Sequence, residues 1–429
     1  MLLTIEKLIY GGDGLARLPA DEHGPGKAVF VPFVLEGEKT EATLVEQKRN
    51  FARARAEKII QPSPSRITPR CPYFGDCGGC HYQHATYSHQ LEIKSAILKE
   101  NFRRIAKHDL GLEPVLHPSP EWHYRNRTRL KLRTTPDFAL GYFKPNSHDL
   151  LPIEQCPISS DLINEAIASL WQLGRNKQIP EEIQEVELFA NAKDSEFLLE
   201  AYCSAAPSNS DRFATALKAA RPGLAGIAFF RSVTSSHPSD AKPIRTSGAS
   251  ELTYKAQAAI YRVSAGSFFQ VNRYLINELT DIVTREVTGS AALDLYAGVG
   301  LFSSALARSF AQVIAVESSP TSFADLLYNS PSNVKAVRST TEQFLQRASA
   351  TLRPDLVVVD PPRNGLGETV VRSLAGLGAS RIVYVSCEPA TASRDLAGLL
   401  SSGYHIEQAH VVDLFPQTFH IESVWHLAR

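Results

Sequence analysis

The stretch Ser386-Cys387-Glu388-Pro389-Ala390-Thr391 follows an apolar run at residues 381–385 (RIVYV). Cys387 is therefore expected at the carboxyl end of a buried strand, beside the crevice where open α/β sheets hold ligands. For a lone cysteine, a buried structural thiol is the plainer reading. Three charged residues favour reactivity instead: Arg394, near enough in sequence to hold a thiolate or a phosphate; Glu422, which starts the apolar last stretch; and Asp360, in the loop Asp360-Pro361-Pro362-Arg363. A thiolate and a carboxylate facing each other across a flat ring suit methylation at carbon-5 of a pyrimidine. That carbon is a weak nucleophile until a thiolate adds at carbon-6 and makes it enolate-like; it then takes a methyl group, and a base removes its proton to expel the thiolate. Cys387 is the expected nucleophile and Glu422 the expected base.

The methyl donor has its own signature. Residues 291–303 (AALDLYAGVGLFS) read as a strand ending at Asp294, a turn carrying Gly298 and Gly300, and the start of a helix. Glycines there let a ligand approach the backbone. Ser303 stands where the third glycine of a dinucleotide fingerprint would fall, which disfavours NAD. The next strand ends in Glu317, placed to accept both hydroxyls of a ribose. An acid before the glycine turn and an acid ending the second strand suit S-adenosylmethionine, although two helix-capping acids in a sheet protein would look alike. The two prolines after Asp360 make that loop a rigid rim beside the cofactor, or a rigid turn with no ligand.

A third cluster suggests a metal. The chain has six cysteines, too few for a secreted disulfide scaffold, and Cys71, Cys77 and Cys80 fall within ten residues. Cys156, in Glu154-Gln155-Cys156-Pro157, is the natural fourth ligand. Four thiolates suit an iron-sulfur cluster or zinc; zinc prefers paired knuckles, while His81, His84 and His89 keep a Cys/His zinc site as the alternative. The tight Cys-x3-Cys-x2-Cys loop of radical S-adenosylmethionine enzymes is missing, and Cys203 reads as a core thiol.

Periodicity indicates the elements that must hold these residues. Residues 1–58 alternate glycine-bearing turns, among them Gly11-Gly12-Asp13-Gly14 and Gly24-Pro25-Gly26, with short apolar stretches, as a small β-barrel would. Residues 61–70 (QPSPSRITPR) look like a linker. Residues 87–107 put Leu91, Ile93, Ile97, Leu98, Phe102 and Ile105 on one side of an amphipathic helix. Residues 124–133 (YRNRTRLKLR) alternate strictly, so Arg125, Arg127, Arg129, Lys131 and Arg133 share one strand face. Either RNA lies across these five cations or carboxylates of a neighbouring strand pair with them. Residues 204–210 and 232–250 look like exposed loops, and from residue 273 strands alternate with helices as in βαβ units.

Composition bounds the answer. At 429 residues the chain should hold two to four domains, and 43% hydrophobic with 21% charged residues excludes long disorder. The 45 basic and 45 acidic side chains cancel overall, yet residues 1–133 hold 21 Lys and Arg against 15 Asp and Glu, a net of +6, so the front of the chain could meet a polyanion. No apolar run approaches the roughly 18 residues that span a bilayer, and the start lacks signal-peptide features, so a cytoplasmic location is expected.

Taken together, these motifs resemble the RNA 5-methyluridine methyltransferase family, in the branch with an N-terminal TRAM domain and a 4Fe-4S cluster that modifies 23S ribosomal RNA. GGDGLAR with VFVPFVLEGE looks like the TRAM signature, CPYFGDCGGCHYQH with EQCPI like the cluster site, and YRNRTRLKL, FFQVN, DLYAGVGLFS, DPPRNGL, SCEPAT and FPQTFHIESV follow in the family's order. The resemblance implies a multi-domain chain: an OB-like TRAM β-barrel that binds RNA over residues 1–60; a central α+β iron-sulfur and RNA-binding domain over 61–265; and a C-terminal α/β class I, Rossmann-like methyltransferase domain over 266–429, with residues 87–110 packing back on it. It implies that Cys71, Cys77, Cys80 and Cys156 ligate the cluster, that Cys387 forms the covalent adduct and that Glu422 is the base. Gln270, Tyr296, Glu317 and Asp360, with Asp294, Gly298 and Gly300, would contact S-adenosylmethionine, while Phe268, Arg125, Arg127 and Arg129 would contact RNA. Leu301 stands where the family often has Asn, and Glu388 where it has Asn or Asp. A monomer acting on RNA, not DNA or membrane, is expected. Alternatives are transfer RNA as substrate, cytosine methylation, for which the DPPR loop lacks the usual cysteine, and a non-catalytic RNA-binding or iron-sulfur protein.

Overall fold

The computed structural model describes residues 1–19, 26–232, 242–285, 287–348 and 352–429. Six strands between Leu2 and Gln61 form the first sheet, in the order Leu2–Thr4, Lys39–Gln47, Phe51–Gln61, Ala28–Val31, Gly14–Arg17 and Lys7–Leu8. Alternation drives it: Leu3, Ile5, Val29, Val31, Ala42, Ala52 and Ala54 turn inward to one small core. The turn expected at Gly24-Pro25-Gly26 lies largely outside the described residues. The proline-bearing segment after Gln61 is fastened rather than loose. Arg66 clamps the buried Glu38 carboxylate through Nε at 2.5 Å and Nη2 at 2.7 Å, and that carboxylate also accepts the Leu35 and Ser63 N–H groups.

A seven-stranded sheet follows, in the order Leu150–Pro152, Ala139–Phe143, Arg127–Arg133, Ile183–Ala190, Phe197–Cys203, Leu224–Arg231 and Arg245–Gly248. The helices Asp161–Arg175 and Ser210–Ala220 join its core through Ile163, Ile167, Leu170, Phe213 and Leu217. Residues 245–248, expected within an exposed loop, instead form the edge strand of this sheet. An edge strand needs only backbone pairing on one side, so its polar side chains carry no apolar alternation to read. Residues 233–241 of the same expected loop lie outside the described residues.

The third sheet has eight strands, in the order Val334–Arg338, Phe310–Glu317, Gly289–Leu295, Leu356–Val359, Arg381–Ser386, Glu422–Ala428, His405–Val412 and Val115–His117. The first five are parallel. The strand Glu422–Ala428 runs antiparallel to both of its neighbours. Chain order reverses on either side of Gly289–Leu295, the kind of switch point where open sheets leave a crevice beyond their carboxyl ends. The hairpin Glu251–Ala256 with Ala259–Ser264 packs Leu252, Tyr254, Tyr261 and Val263 onto the same core.

The helix Tyr87–Ala106 lies against this sheet domain although the parallel strands begin only at Gly289, burying Ile93, Ile97, Leu98 and Phe102 in one cluster with Leu396, Leu399 and Trp425. Ile105 is 39% exposed, so it falls off the expected apolar face. Lys94 on the buried face is completely covered and places Nζ 2.6 Å from Asp413 Oδ1 and 2.9 Å from the Phe415 carbonyl. Among the described residues no helix is long and apolar enough to cross a membrane.

Removing one partner of a buried pair strands the other charge without solvent. Lys94→Met is therefore expected to destabilise the protein by about 3–5 kcal/mol in denaturant unfolding; a loss below about 1 kcal/mol, the range of an exposed pair, would show that the pair holds nothing in place.

Candidate active site

The antiparallel rung between Ser386 and Ser423 decides the geometry of the site. Ser423 Oγ donates to the Ser386 carbonyl at 3.2 Å, and one step further along each chain stand Cys387 and Glu422. Cys387 is half-buried and Glu422 is 5% exposed. Burial, then the charges of Glu422 and Asp360, push the Cys387 thiol up to about 12, with Arg363 opposing them. Burial and Asp360 hold the Glu422 carboxyl far above the usual carboxylate range. Asp360 is pushed up to about 7 by burial and by Asp294, and Asp294 to about 7 mainly by burial. These carboxyls cannot all ionise together in so little solvent, so the site stores protons near neutral pH.

Arg394, expected beside the thiol, is turned away: its Nε and Nη2 grip Asp395 Oδ1 at 2.9 and 2.8 Å, and Nη2 reaches the Asn364 carbonyl. The helix Pro389–Ser401 begins just after Glu388, and its turn carries Arg394 past the crevice. Arg363 is the cation that acts on Cys387.

Phe268, Gln270, Tyr296, Gly298 and Asp360 line one cleft beyond the strand ends, with Phe269, Val299, Leu301 and Phe302 as its apolar walls. Gly298 has φ +56° and open space where a Cβ would stand, whereas Gly300, at φ +94°, would strain any other residue and set a Cβ 2.8 Å from Leu326 Cδ1. The turn thus leaves its backbone free for a ligand on one side and pressed on a helix on the other. Asp294 accepts the Ser303 hydroxyl at one oxygen, while its buried Oδ1 has no hydrogen-bond partner. Glu317 accepts the N–H groups of Gly298 at 2.9 Å and Ser319 at 2.6 Å, which holds the glycine turn against the second strand. Apolar walls, an open glycine turn and the Asp360 carboxyl fit a nucleoside carrying a positive charge.

The row of cations meets carboxylates. Arg127 pairs with Glu187 and Glu200, and Arg129 and Lys131 both pair with Glu185. The cross-strand acids, one of the two arrangements open to the sequence, are what the sheet contains. Arg127 Nη1 also donates to the Ser267 carbonyl at 2.5 Å, while Glu200 accepts the Gly266 N–H at 2.9 Å. Together they fix the loop that presents Phe268, whose ring is 60% exposed. Arg125 precedes the strand and, with Arg129, lines a cavity of about 240 Å³ that also holds Cys71, Cys77, Cys80 and Cys156. None of His81, His84 and His89 lines that cavity. His84 Nε2 meets the Val34 carbonyl, His81 packs on Phe419, and His89 meets Glu92. Among the described residues no three His, Cys, Asp or Glu side chains converge tightly enough to grip a single metal ion. Cys203 is buried in the core of the central sheet.

Residues 1–56 match the TRAM domain, and residues 86–429 match the family described as tRNA (Uracil-5-)-methyltransferase. The chain belongs to that family. Similar proteins include an RNA methyltransferase of Aquifex aeolicus, 32% identical over 98% of this chain and 97% of its own, and the 23S rRNA (uracil(1939)-C(5))-methyltransferase RlmD of Alkalilimnicola ehrlichii, 30% identical over 98% and 95%. Among solved structures, the Pyrococcus abyssi tRNA (uracil-54, C5)-methyltransferase in complex with S-adenosyl-L-homocysteine superposes with a TM-score of 0.79 at 26% identity, covering 99% of each chain. The protein is thus an S-adenosylmethionine-dependent RNA (uracil-C5) methyltransferase. The purely binding and cytosine-directed alternatives fall away.

Three roles in this methyltransferase site were not legible in advance, although Arg127 itself was expected to contact RNA. Arg363 carries its charge to Cys387, Arg127 holds the Phe268 loop, and Tyr10 of the barrel reaches the Cys387 carbonyl across 377 positions of sequence. Spacing on a single strand or loop carries no signal for partners so remote.

Burial holds Asp360, which lines the cleft, and the neighbouring Asp294 at about 7, so the pair together gains negative charge beside the cleft as pH rises through that value. Affinity for S-adenosylmethionine, a sulfonium cation, is expected to increase between pH 6 and pH 8 in calorimetric titrations, with S-adenosylhomocysteine changing less because its sulfur is neutral. Equal pH dependence for the two ligands would remove both aspartates from the neighbourhood of the reacting sulfur.

Proposed function

We propose that this enzyme methylates carbon-5 of a uridine in 23S ribosomal RNA through a covalent adduct with Cys387, resolved by Glu422. The observation that carries the reading is the strand register that sets the thiol and the carboxyl one rung beyond Ser386 and Ser423, beside the cofactor cleft. The Cys387 sulfur adds to carbon-6 of the ring and its proton passes to Asp360, whose proton affinity is raised to about 7, while Glu422 stands in its ionised form. The resulting enolate at carbon-5 takes the methyl from the sulfonium, leaving neutral S-adenosylhomocysteine. Glu422, ionised at that stage, accepts the carbon-5 proton; the electron pair re-forms the 5,6 double bond and the thiolate leaves. The net exchange is one ring proton for one methyl. Phe268, exposed and fixed at its base by Arg127, is suited to stack on a uracil drawn out of the RNA.

In the same reading Cys71, Cys77, Cys80 and Cys156 hold a 4Fe-4S cluster. Their thiols surround one cavity with Arg125, whose Nε has no hydrogen-bond partner. An anionic group would satisfy that cation. Four cysteines around one cavity, three from one loop and one from far along the chain, suit a cluster rather than the paired knuckles of zinc. The cluster would supply a four-point tie between residues 71–80 and Cys156. The methyl transfer requires no electrons.

Identity with the RlmD relative over nearly the whole chain favours ribosomal RNA, and likeness to the archaeal tRNA enzyme supports transfer RNA as the second reading. Labelled methyl transfer to separately purified, unmodified 23S ribosomal RNA and transfer RNA tests both, with nucleosides identified by mass spectrometry and iron counted in the same anaerobic preparation. We expect 5-methyluridine in the ribosomal RNA alone and four irons per chain. Label only in transfer RNA would overturn the target, and one zinc per chain would overturn the cluster.

A further inference from the structure

Tyr10 ends the segment that precedes the glycine turn of the N-terminal barrel, yet its phenol lies in the active site. Its Oη donates to the Cys387 carbonyl at 3.3 Å and is within hydrogen-bonding reach of the Glu388 side chain, so one proton sits between two acceptors on the nucleophile loop. The Tyr10 ring stands edge-on to Phe419 with centroids 5.3 Å apart, and Phe419 belongs to the loop that leads into Glu422. One side chain of the barrel therefore touches the loop carrying the nucleophile and the loop carrying the base.

The contact is seated firmly. Leu8 and Leu35 of the barrel share a buried cluster with Tyr82, Leu396 and Trp425, and Tyr10 packs against it. Gly12 lies so close to His81 that a Cβ on it would stand 2.9 Å from the His81 Cβ. His81 packs in turn on Phe419 at 4.6 Å, while the His81 and Tyr82 N–H groups both donate to the Gln417 carbonyl. Movement of the barrel would therefore be felt by the loop that precedes Glu422.

We propose that Tyr10 is a positioning residue for the methyl-transfer reaction: its hydroxyl orients the peptide that follows Cys387, and its ring braces that peptide against the Glu422 loop, so the TRAM barrel completes the catalytic geometry besides any hold it has on RNA. This rests on Cys387 being the nucleophile. Tyr10 does not touch the reacting atoms. A thiol and carbon-6 must meet at about 3–3.5 Å, and small misplacement costs rate steeply.

Tyr10→Phe keeps the ring on Phe419 and removes only the hydroxyl. The test is the single-turnover rate of adduct formation with 5-fluorouridine-substituted 23S RNA and S-adenosylmethionine, read on denaturing gels, alongside RNA affinity and thermal stability. The adduct rate is expected to fall about 10-fold, the scale of a slightly misplaced reactant, with RNA affinity and melting temperature unchanged. Glu388→Gln weakens the same contact from the other end and should slow the step by a smaller factor. Wild-type rates in both variants, or weakened RNA binding with an unchanged rate at saturation, would overturn the role of Tyr10. No adduct with the unaltered enzyme would instead overturn Cys387 as nucleophile, and this inference with it.

Discussion

Everything in the site depends on one reversed strand. Five parallel strands can carry a cofactor at their carboxyl ends, but a residue on the next parallel strand would approach the crevice along the same direction as Cys387. By running antiparallel, Glu422–Ala428 brings its amino end to the carboxyl end of Arg381–Ser386, and the Ser386 to Ser423 rung fixes how far apart the two functional groups stand. Pairing register is specified by burial: Val383, Val385, Val424 and Trp425 are all covered, and a slip of one residue would turn each to the wrong face. Cys387 and Glu422 are therefore positioned by a buried strand pair rather than by a free-standing loop.

The loop between the last two strands needs support of its own, and remote segments supply it. Lys94 holds Asp413 and the Phe415 carbonyl, the Tyr124 hydroxyl donates to the Pro416 carbonyl, Gln90 exchanges hydrogen bonds with Gln417, and His81 and Tyr82 bind the Gln417 carbonyl. Asn272 reaches the Leu414 carbonyl from the strand-end loop that also carries Gln270. Barrel, cysteine loop, first helix and cofactor loop thus converge on residues 413–421, which explains why the first helix belongs with strands far along the chain. The surrounding burial also raises the carboxyl and thiol proton affinities, so the same packing that fixes geometry sets the proton balance of the site.

Much of this was legible from local pattern. The glycine turn after Asp294, the strand ending in Cys387 and the amphipathic helix near residue 87 are short-range signals, and Phe268, Gln270, Tyr296, Gly298 and Asp360 do line one cleft. What sequence left open were pairings between distant elements. Alternation showed five cations on one face but not the three glutamates opposite them, because Glu185, Glu187 and Glu200 come from strands whose neighbours only the fold decides. Arg394 looked close to Cys387 in sequence, yet a helical turn separates them. Tyr10 gave no sign at all, since a residue in a barrel turn has no periodicity that points to a partner in another domain.

The central claim is that Cys387 and Glu422 act on opposite sides of one uracil. The direct measurement incubates the Glu422→Gln variant with unmodified 23S RNA and S-adenosylmethionine, then maps any RNA-linked peptide by mass spectrometry. The account predicts a stable adduct on Cys387 whose uracil carries the added methyl, because the carbon-5 proton can no longer be removed. Full turnover by this variant, or an adduct on any other residue, would contradict it.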